Sequence, residues 1–270
     1  MSSILLNDQS WYVQTKGRPD FPALLLLHGF TGSHASWDAL LSHWSQTFWT
    51  IAPDLPGHGR TPAPLNAQDL TMAGTADRLA TLLDQLSIRS AAVLGYSMGG
   101  RLALHFAVQH GWRLSRLVLE SASPGLDSPS ERQVRRAQDR ALADDIMQKG
   151  LDWFVPYWSQ RPLFRDQPQW LVDEENRIRL SHTPFGLAQS LRGCGTGEQD
   201  SLWDMLPSLT MPVLLVTGQR DRKFAAIAER MARHIAHATW LSVDKAGHTV
   251  HGEQPAIFKD IVERFLKEHL

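Results

Sequence analysis

The five residues Gly95-Tyr96-Ser97-Met98-Gly99 constrain this chain most. They read G-x-S-x-G, placed directly after the apolar run Ala91 to Leu94 and directly before a helix-like stretch from Arg101 to Gln109. A strand that turns sharply into a helix lifts a serine oxygen clear of the backbone and aims N–H groups at the same point. Glycines let the chain pass through so tight a turn. Gly and Ser are common enough for the string to occur by chance, so its weight comes from the strand before it and the helix after it.

The rest of the chain repeats that alternation. Apolar runs at Ala23 to Leu27, Thr47 to Ala52, Ala91 to Leu94, Leu117 to Glu120, Pro212 to Thr217 and Thr239 to Val243 are separated by helix-length segments. Runs that are apolar throughout suit strands buried on both faces, as in a parallel sheet covered by helices. The expected class is therefore α/β, with a mostly parallel central sheet flanked by helices. Ser36 or Thr31 is the candidate cap for a helix around Trp37 to Trp44, and Asp69 or Thr71 for one through Ala76 to Leu86. A last helix, Ala256 to Leu266, puts Ile257, Ile261, Val262 and Phe265 on one face. Trp11, Trp37, Trp44 and Trp49 are expected to pack the core or its margin.

Between Ser121 and about Asp200 the rhythm breaks into helix-like pieces carrying Arg and Trp. A block of about 80 residues is too long for a loop and must be a substructure. The reading is one α/β core, residues 1–122 and 201–270, with a helical cap inserted at 123–200, in keeping with a 270-residue chain.

Composition excludes several function classes. Hydrophobic residues make up 43% and charged residues 20%, and no apolar stretch approaches the roughly 20 residues of a membrane span. A formal net charge of −1 leaves no basic footprint for nucleic acid or anionic lipid, so a small molecule is the expected partner. Cys194 is the only cysteine, which rules out an internal disulfide. Met1 to Gln9 has no basic stretch followed by an apolar one, so the expected location is the cytoplasm. The chain is expected to be a monomer or a weak homo-oligomer. Neither H-E-x-x-H nor a Cys/His cluster is present, so no metal or other cofactor is expected, and His234 with His237 is read as surface.

Chain order supplies the chemistry. Ser97 follows a middle strand, Asp221 follows the Pro212 to Thr217 run, and His248 follows the Thr239 to Val243 run. The carboxyl ends of parallel strands share one edge, so these three side chains should gather there. His248 would take the Ser97 proton, and Asp221 would orient the imidazole and stabilise its cation. Taken alone, Asp221 is a solvated turn residue in Gly218-Gln219-Arg220-Asp221, and His251 competes with His248; position after a strand and the flanking glycine favour His248. An oxygen that gains negative charge needs two backbone donors. The candidates are the N–H of Met98 and the N–H of Phe30 in His28-Gly29-Phe30-Thr31-Gly32.

The cap candidate from 127 to 200 holds nine arginines and one lysine, beside twelve acidic residues. Arginine grips carboxylates through a planar fork, although arginine paired with carboxylates on helix faces is usually only structural. Arg101 is more pointed: it lies in the first turn after Ser97, where a cation opposes the helix dipole, so a protein carboxylate or an anionic substrate should compensate it.

Together, His28 to Gly32, Asp54-Leu55-Pro56-Gly57-His58-Gly59, Gly95 to Arg101, Gly218 to Phe224 and Gly247-His248 resemble the α/β-hydrolase superfamily over nearly the whole chain. Within it, Gly95 to Arg101, Glu120 to Leu126, Trp158 to Phe164, Ser190 to Gly193 with Gly195 to Gly197, and Asp221 to Phe224 are similar to the 2-succinyl-6-hydroxy-2,4-cyclohexadiene-1-carboxylate synthases of menaquinone biosynthesis. The resemblance implies a lyase that removes pyruvate from a small tricarboxylate, 2-succinyl-5-enolpyruvyl-6-hydroxy-3-cyclohexene-1-carboxylate, with Ser97 as the base. It further implies that Tyr96, Arg101, Arg135, Arg179, Trp158 and Lys223 bind substrate. Arg136 for Arg135, Arg177 for Arg179 and Tyr157 for Trp158 remain open alternatives. The rivals are a serine hydrolase, acting on esters or C–C bonds, and a non-catalytic binding protein on the same fold.

Overall fold

The apolar runs lie side by side. In the computed structural model, which describes residues 2–6 and 9–268, eight strands form one sheet: β1 (Ser2–Leu6), β2 (Gln9–Lys16), β3 (Ala23–Leu27), β4 (Trp49–Pro53), β5 (Ala91–Tyr96), β6 (Leu114–Glu120), β7 (Val213–Gly218) and β8 (Ala238–Val243). Their order is β1-β2-β4-β3-β5-β6-β7-β8. β2 runs antiparallel to β1 and β4, and the remaining pairs are parallel. The expected core bounds and the N-terminal reading extend to Met1, Asn7, Asp8, His269 and Leu270, which lie outside the described residues.

Successive residues of a strand face opposite sides. In β3, Leu25 and Leu27 join Val93, Leu117 and Leu119 beneath the helices α2 (Met72–Gln85) and α3 (Met98–His110). Leu24 and Leu26 join Leu94 and Val118 beneath α1 (Asp38–Trp44) and α9 (Pro255–Lys267). Both faces are covered, which is why these strands are apolar throughout; each leucine so buried contributes about 1.5–3 kcal/mol. α7 (Arg222–Ala232) adds Ala228 and Met231 to the first layer. α8 (Val250–Glu253) is a single turn before α9.

Several local expectations need correction. Thr47 and Phe48 close the turn after α1 by donating to the Trp44 carbonyl, so β4 starts at Trp49. The antiparallel β1 and β2 were not anticipated, because neither is a continuous apolar run. β8 is an edge strand with mostly half-exposed or exposed side chains, not one buried on both faces. Neither Ser36 nor Thr31 caps α1, which has no side-chain cap; Ser33 caps the 3-10 turn His34–Trp37 before it, accepting from Ala35 N–H while its own N–H donates to Ser36 Oγ. Thr71 rather than Asp69 caps α2, through Gly74 N–H. In α9 the buried row is Phe258, Val262 and Leu266, while Ile257 is exposed.

Between β6 and β7 come α4 (Pro129–Ser159), α5 (Gln169–Leu180) and α6 (Pro184–Cys194). Ser128 caps α4 with Pro129 in its first turn, and Thr183 caps α6 with Pro184 likewise. Ala143, Ile146, Phe154, Val155, Leu187, Ala188 and Leu191 form a separate apolar cluster among these helices. α4 is kinked at Gly150, whose φ of 74° and ψ of −177° are not helical. Among the described residues no helix is long and apolar enough to cross a membrane.

Candidate active site

Ser97 sits between β5 and α3 at φ 50° and ψ −107°, a region that a residue with a Cβ occupies only under constraint. The constraint is visible. Ser97 N–H donates to the Glu120 carbonyl at 2.9 Å, and a Cβ on Gly99 would overlap the Leu27 carbonyl, so strand, turn and helix can approach closely only with glycine there.

The loops after β7 and β8 bring the other two side chains to the same edge. His248 Nδ1 lies 2.6 Å from Asp221 Oδ2, and its Nε2 lies 3.0 Å from Ser97 Oγ. The carboxylate can only accept, so Nδ1 carries the proton and Nε2 is free to accept from the serine. Asp221 Oδ1 also accepts from Phe224 N–H at 3.2 Å, which fixes the carboxylate at the start of α7. His248 and Asp221 are buried, and Phe224 and Tyr96 flank the imidazole at 4.6 and 5.5 Å between ring centres. Among the described residues, the N–H groups of Phe30 and Met98 donate to no protein acceptor.

Ser97, Met98, Phe30 and His248 open into a cavity of about 880 Å³ that residues of α4 and α6 also line. Tyr96, Arg101, Arg135, Trp158 and Lys223 also line it. Arg101 is buried, and its Nη1 donates to the Cys194 carbonyl and Gln199 Oε1, both at 3.0 Å. Burial lowers its pKa to about 10, so it stays charged at neutral pH, with no carboxylate among the described residues bonded to it. Burial likewise raises Tyr96 well above the ordinary phenol value, keeping its hydroxyl protonated beside Thr249 Oγ1 at 2.8 Å.

The neighbouring side chains between β6 and β7 differ in position. Arg135 reaches the cavity while bonded to Asp139, whereas Arg136 turns to Glu198. Arg177 is exposed and Arg179 is buried. Arg179 does not line the cavity around Ser97, however. It pairs with Glu175, donates to Asn176 Oδ1 at 2.8 Å, and borders a neighbouring cavity of about 160 Å³. Phe164 lines both spaces, as do Phe30 and Tyr96, and its ring lies 5.4 Å from the Arg179 guanidinium and 6.0 Å from the His248 ring. Sequence spacing gave no means of seeing that arrangement. Tyr157 and Trp158 both line the larger cavity, so neither alternative displaces the other. Trp153 instead stacks on Tyr157, and Trp170 borders the smaller cavity.

Comparison with known proteins places this site in a lineage. The α/β hydrolase fold model matches residues 22–255. The 2-succinyl-6-hydroxy-2,4-cyclohexadiene-1-carboxylate synthase of Klebsiella pneumoniae subsp. pneumoniae is 32% identical, over 89% of this chain and 92% of that protein. A Bacillus subtilis (strain 168) protein provisionally given the same name is 44% identical, over 90% of each chain. The chain belongs to the α/β-hydrolase family, in the branch of these synthases. The solved structure of MenH from S. aureus superposes on it with a TM-score of 0.90 at 31% identity, covering 96% of this chain and 98% of that one.

In this α/β-hydrolase several contributors escaped the sequence reading. Arg161 lines the cavity, with its Nη1 bonded to Tyr157 Oη at 2.9 Å and no carboxylate partner among the described residues. Gln199 orients Arg101, from a position 98 residues downstream that no local pattern marks. His28 proves structural: Nδ1 donates to the Gly29 carbonyl, Nε2 accepts from Leu55 N–H at 3.0 Å, and burial lowers its pKa to about 4. Among the described residues, no group of three or more His, Cys, Asp and Glu is arranged to hold a metal.

Proposed function

We propose that this protein eliminates pyruvate from 2-succinyl-5-enolpyruvyl-6-hydroxy-3-cyclohexene-1-carboxylate, giving 2-succinyl-6-hydroxy-2,4-cyclohexadiene-1-carboxylate in the route to menaquinone. The observation that carries this reading beyond a general serine enzyme is the company Ser97 keeps. Arg101, Arg161 and Lys223 line the cavity without a carboxylate partner among the described residues. Such cations in the cavity that holds Ser97 suit a substrate that carries carboxylates.

The chemistry follows from the substrate. The ring hydrogen at C2 is α to the succinyl ketone, and the enolpyruvyl ether at C5 is allylic to the C3–C4 double bond. His248, oriented by Asp221, takes the Ser97 proton, and the serine oxygen removes the C2 hydrogen. Charge moves onto the ketone oxygen, where the N–H groups of Phe30 and Met98 are available to receive it. The electron pair then forms the C2=C3 double bond, shifts the original double bond to C4–C5 and breaks the C5–O bond, expelling the enolate of pyruvate, which takes up the proton that His248 received. Tyr96, Arg101, Arg135, Trp158 and Lys223 hold the substrate. Arg179 contributes from the adjoining space.

In this reading residues 123–200 form the cap over a core of 1–122 and 201–270, and the protein works without a cofactor in the cytoplasm as a monomer or weak homo-oligomer. The test is release of pyruvate from the enolpyruvyl substrate by purified protein, with Ser97→Ala lowering the rate by about a thousandfold or more. Rapid turnover of simple esters with no pyruvate would replace the lyase by a serine hydrolase. A near-normal rate in the alanine variant would remove Ser97 from the mechanism.

A further inference from the structure

The loop that offers the Phe30 N–H is held from the cap. Thr31 follows at φ 68°, in the left-handed region that β-branched residues avoid. Its carbonyl accepts from His182 Nε2 at 2.8 Å, and its Oγ1 accepts from Arg179 Nε at 3.4 Å. The other ring nitrogen of His182, Nδ1, accepts from Gly59 N–H at 2.8 Å. His182 lies between α5 and α6, Thr31 just after β3 and Gly59 a few residues after β4. One imidazole thereby joins the cap to two loops of the core.

The two bonds demand the neutral ring. A carbonyl only accepts and an amide N–H only donates, so Nε2 must carry the hydrogen and Nδ1 must be bare. Burial lowers the His182 pKa, in agreement. Phe30 belongs to the same assembly: its ring meets His58 edge-on at 5.7 Å, and His58 meets His182 edge-on at 5.4 Å.

We infer that His182 is a positioning residue for the reaction, holding Thr31 in its left-handed conformation from the cap and so fixing where the Phe30 N–H meets the developing oxyanion. This rests on the reading that Phe30 donates to that oxygen. A docked cap then does more than enclose the substrate, because it also sets one of the two donors. Replacing His182 would leave Ser97, His248 and Asp221 in place but misplace the Phe30 donor.

The decisive measurement is the rate at which a fluorophosphonate modifies Ser97, in the full-length protein. There the Ser97 Oγ–P bond forms as fluoride leaves and the serine proton passes to His248, with charge building on the phosphoryl oxygen. Since removing one oxyanion donor costs about 100- to 1000-fold, a displaced donor in His182→Leu should slow labelling by about 10-fold or more. His182→Gln, which can both donate and accept, should restore the rate to within about threefold of wild type, and His182→Leu should leave KM for the enolpyruvyl substrate within about threefold while kcat falls. A folded leucine variant that labels within about twofold of wild type overturns the inference, as does a glutamine variant no faster than leucine. Should the leucine variant not fold, His182→Asn replaces it, being too short to span both partners; equal rates for Asn and Gln overturn the inference. Normal labelling of the wild type without pyruvate release would sink the lyase reading and leave this one standing.

Discussion

Glu120 fastens Ser97 through its backbone and His251 through its side chain. Its carbonyl accepts from Ser97 N–H at 2.9 Å, while its buried carboxylate accepts from His251 N–H at 2.9 Å and from Nδ1 at 2.8 Å. Removing one member of a buried pair leaves the other uncompensated, so Glu120→Ala should cost about 3–5 kcal/mol in denaturant unfolding. Although burial opposes the charge on His251, the facing Glu120 carboxylate raises its pKa above 6.5. A histidine with a raised folded pKa adds stability that is complete below the unfolded value and is lost as pH rises through the folded one. The stability gap between wild type and Glu120→Gln should therefore be wider near about pH 6 than near about pH 9. An unchanging gap would mean that charge plays no part in the contact.

Ser97 carries strain that an alanine retains and a glycine relieves. At φ 50° and ψ −107°, a side chain costs about 1–3 kcal/mol, partly offset for glycine by the greater freedom of its unfolded chain. Ser97→Gly should thus unfold about 1 kcal/mol later than Ser97→Ala, although both lack the hydroxyl and neither should release pyruvate at a useful rate. Equal stability of the two would argue that the turn is relaxed.

Arginines in and around the Ser97 cavity should separate by position, not by proximity in sequence. Arg101→Gln and Arg135→Gln remove cations that line the Ser97 cavity. A lost charge-assisted hydrogen bond is equivalent to about a 10- to 100-fold rise in KM. Arg136→Gln and Arg177→Gln, one turned to Glu198 and the other exposed, should leave KM within about twofold. Steady-state kinetics on the four variants decides it, and a uniform effect would mean that only overall charge matters.

Acid should loosen the core at His28. Burial lowers its folded pKa from 6.5 to about 4. Between those values the unfolded chain binds the proton more readily, so stability present above about pH 6.5 declines as pH falls toward 4, by about 3 kcal/mol in all. His105, lowered to about 4 by its own burial, adds to the slope. His28→Gln should be less stable at neutral pH but lose less on acidification, as read by thermal melts across that range. A parallel decline would clear His28.

Much of this was legible beforehand for definite reasons. The strands from β3 to β7 announced themselves because both of their faces are buried, which writes an unbroken apolar run into the sequence. Ser97, Asp221 and His248 could be found because strand ends of a parallel sheet share an edge, so order along the chain stands in for distance. β1 and β2 were missed because polar residues such as Ser3, Ser10 and Gln14 interrupt them, so that even the buried Trp11 to Gln14 form no run of that kind. The side chains that finish the cavity were harder still. Arg161, Gln199 and His182 act across 4, 98 and 151 positions, respectively, through a helical insertion whose packing is not written as a period. Arg179 shows the limit: resemblance assigned it to substrate, yet it borders a neighbouring cavity with Phe164 beside it, which no spacing revealed.

The bend at Gly150 has nothing pressing on it, since a Cβ added there would meet no atom within 4 Å. Its left-handed φ, not crowding, is what reserves the place for glycine. One stretch of α4 before the bend brings Arg135 and Leu142 to the chamber, and the stretch after it brings Tyr157 and Trp158. Charge and aromatic walls are therefore hung on two arms of one elbow, and a change of angle at a single backbone joint would reshape the room for substrate while every side chain facing it stayed the same.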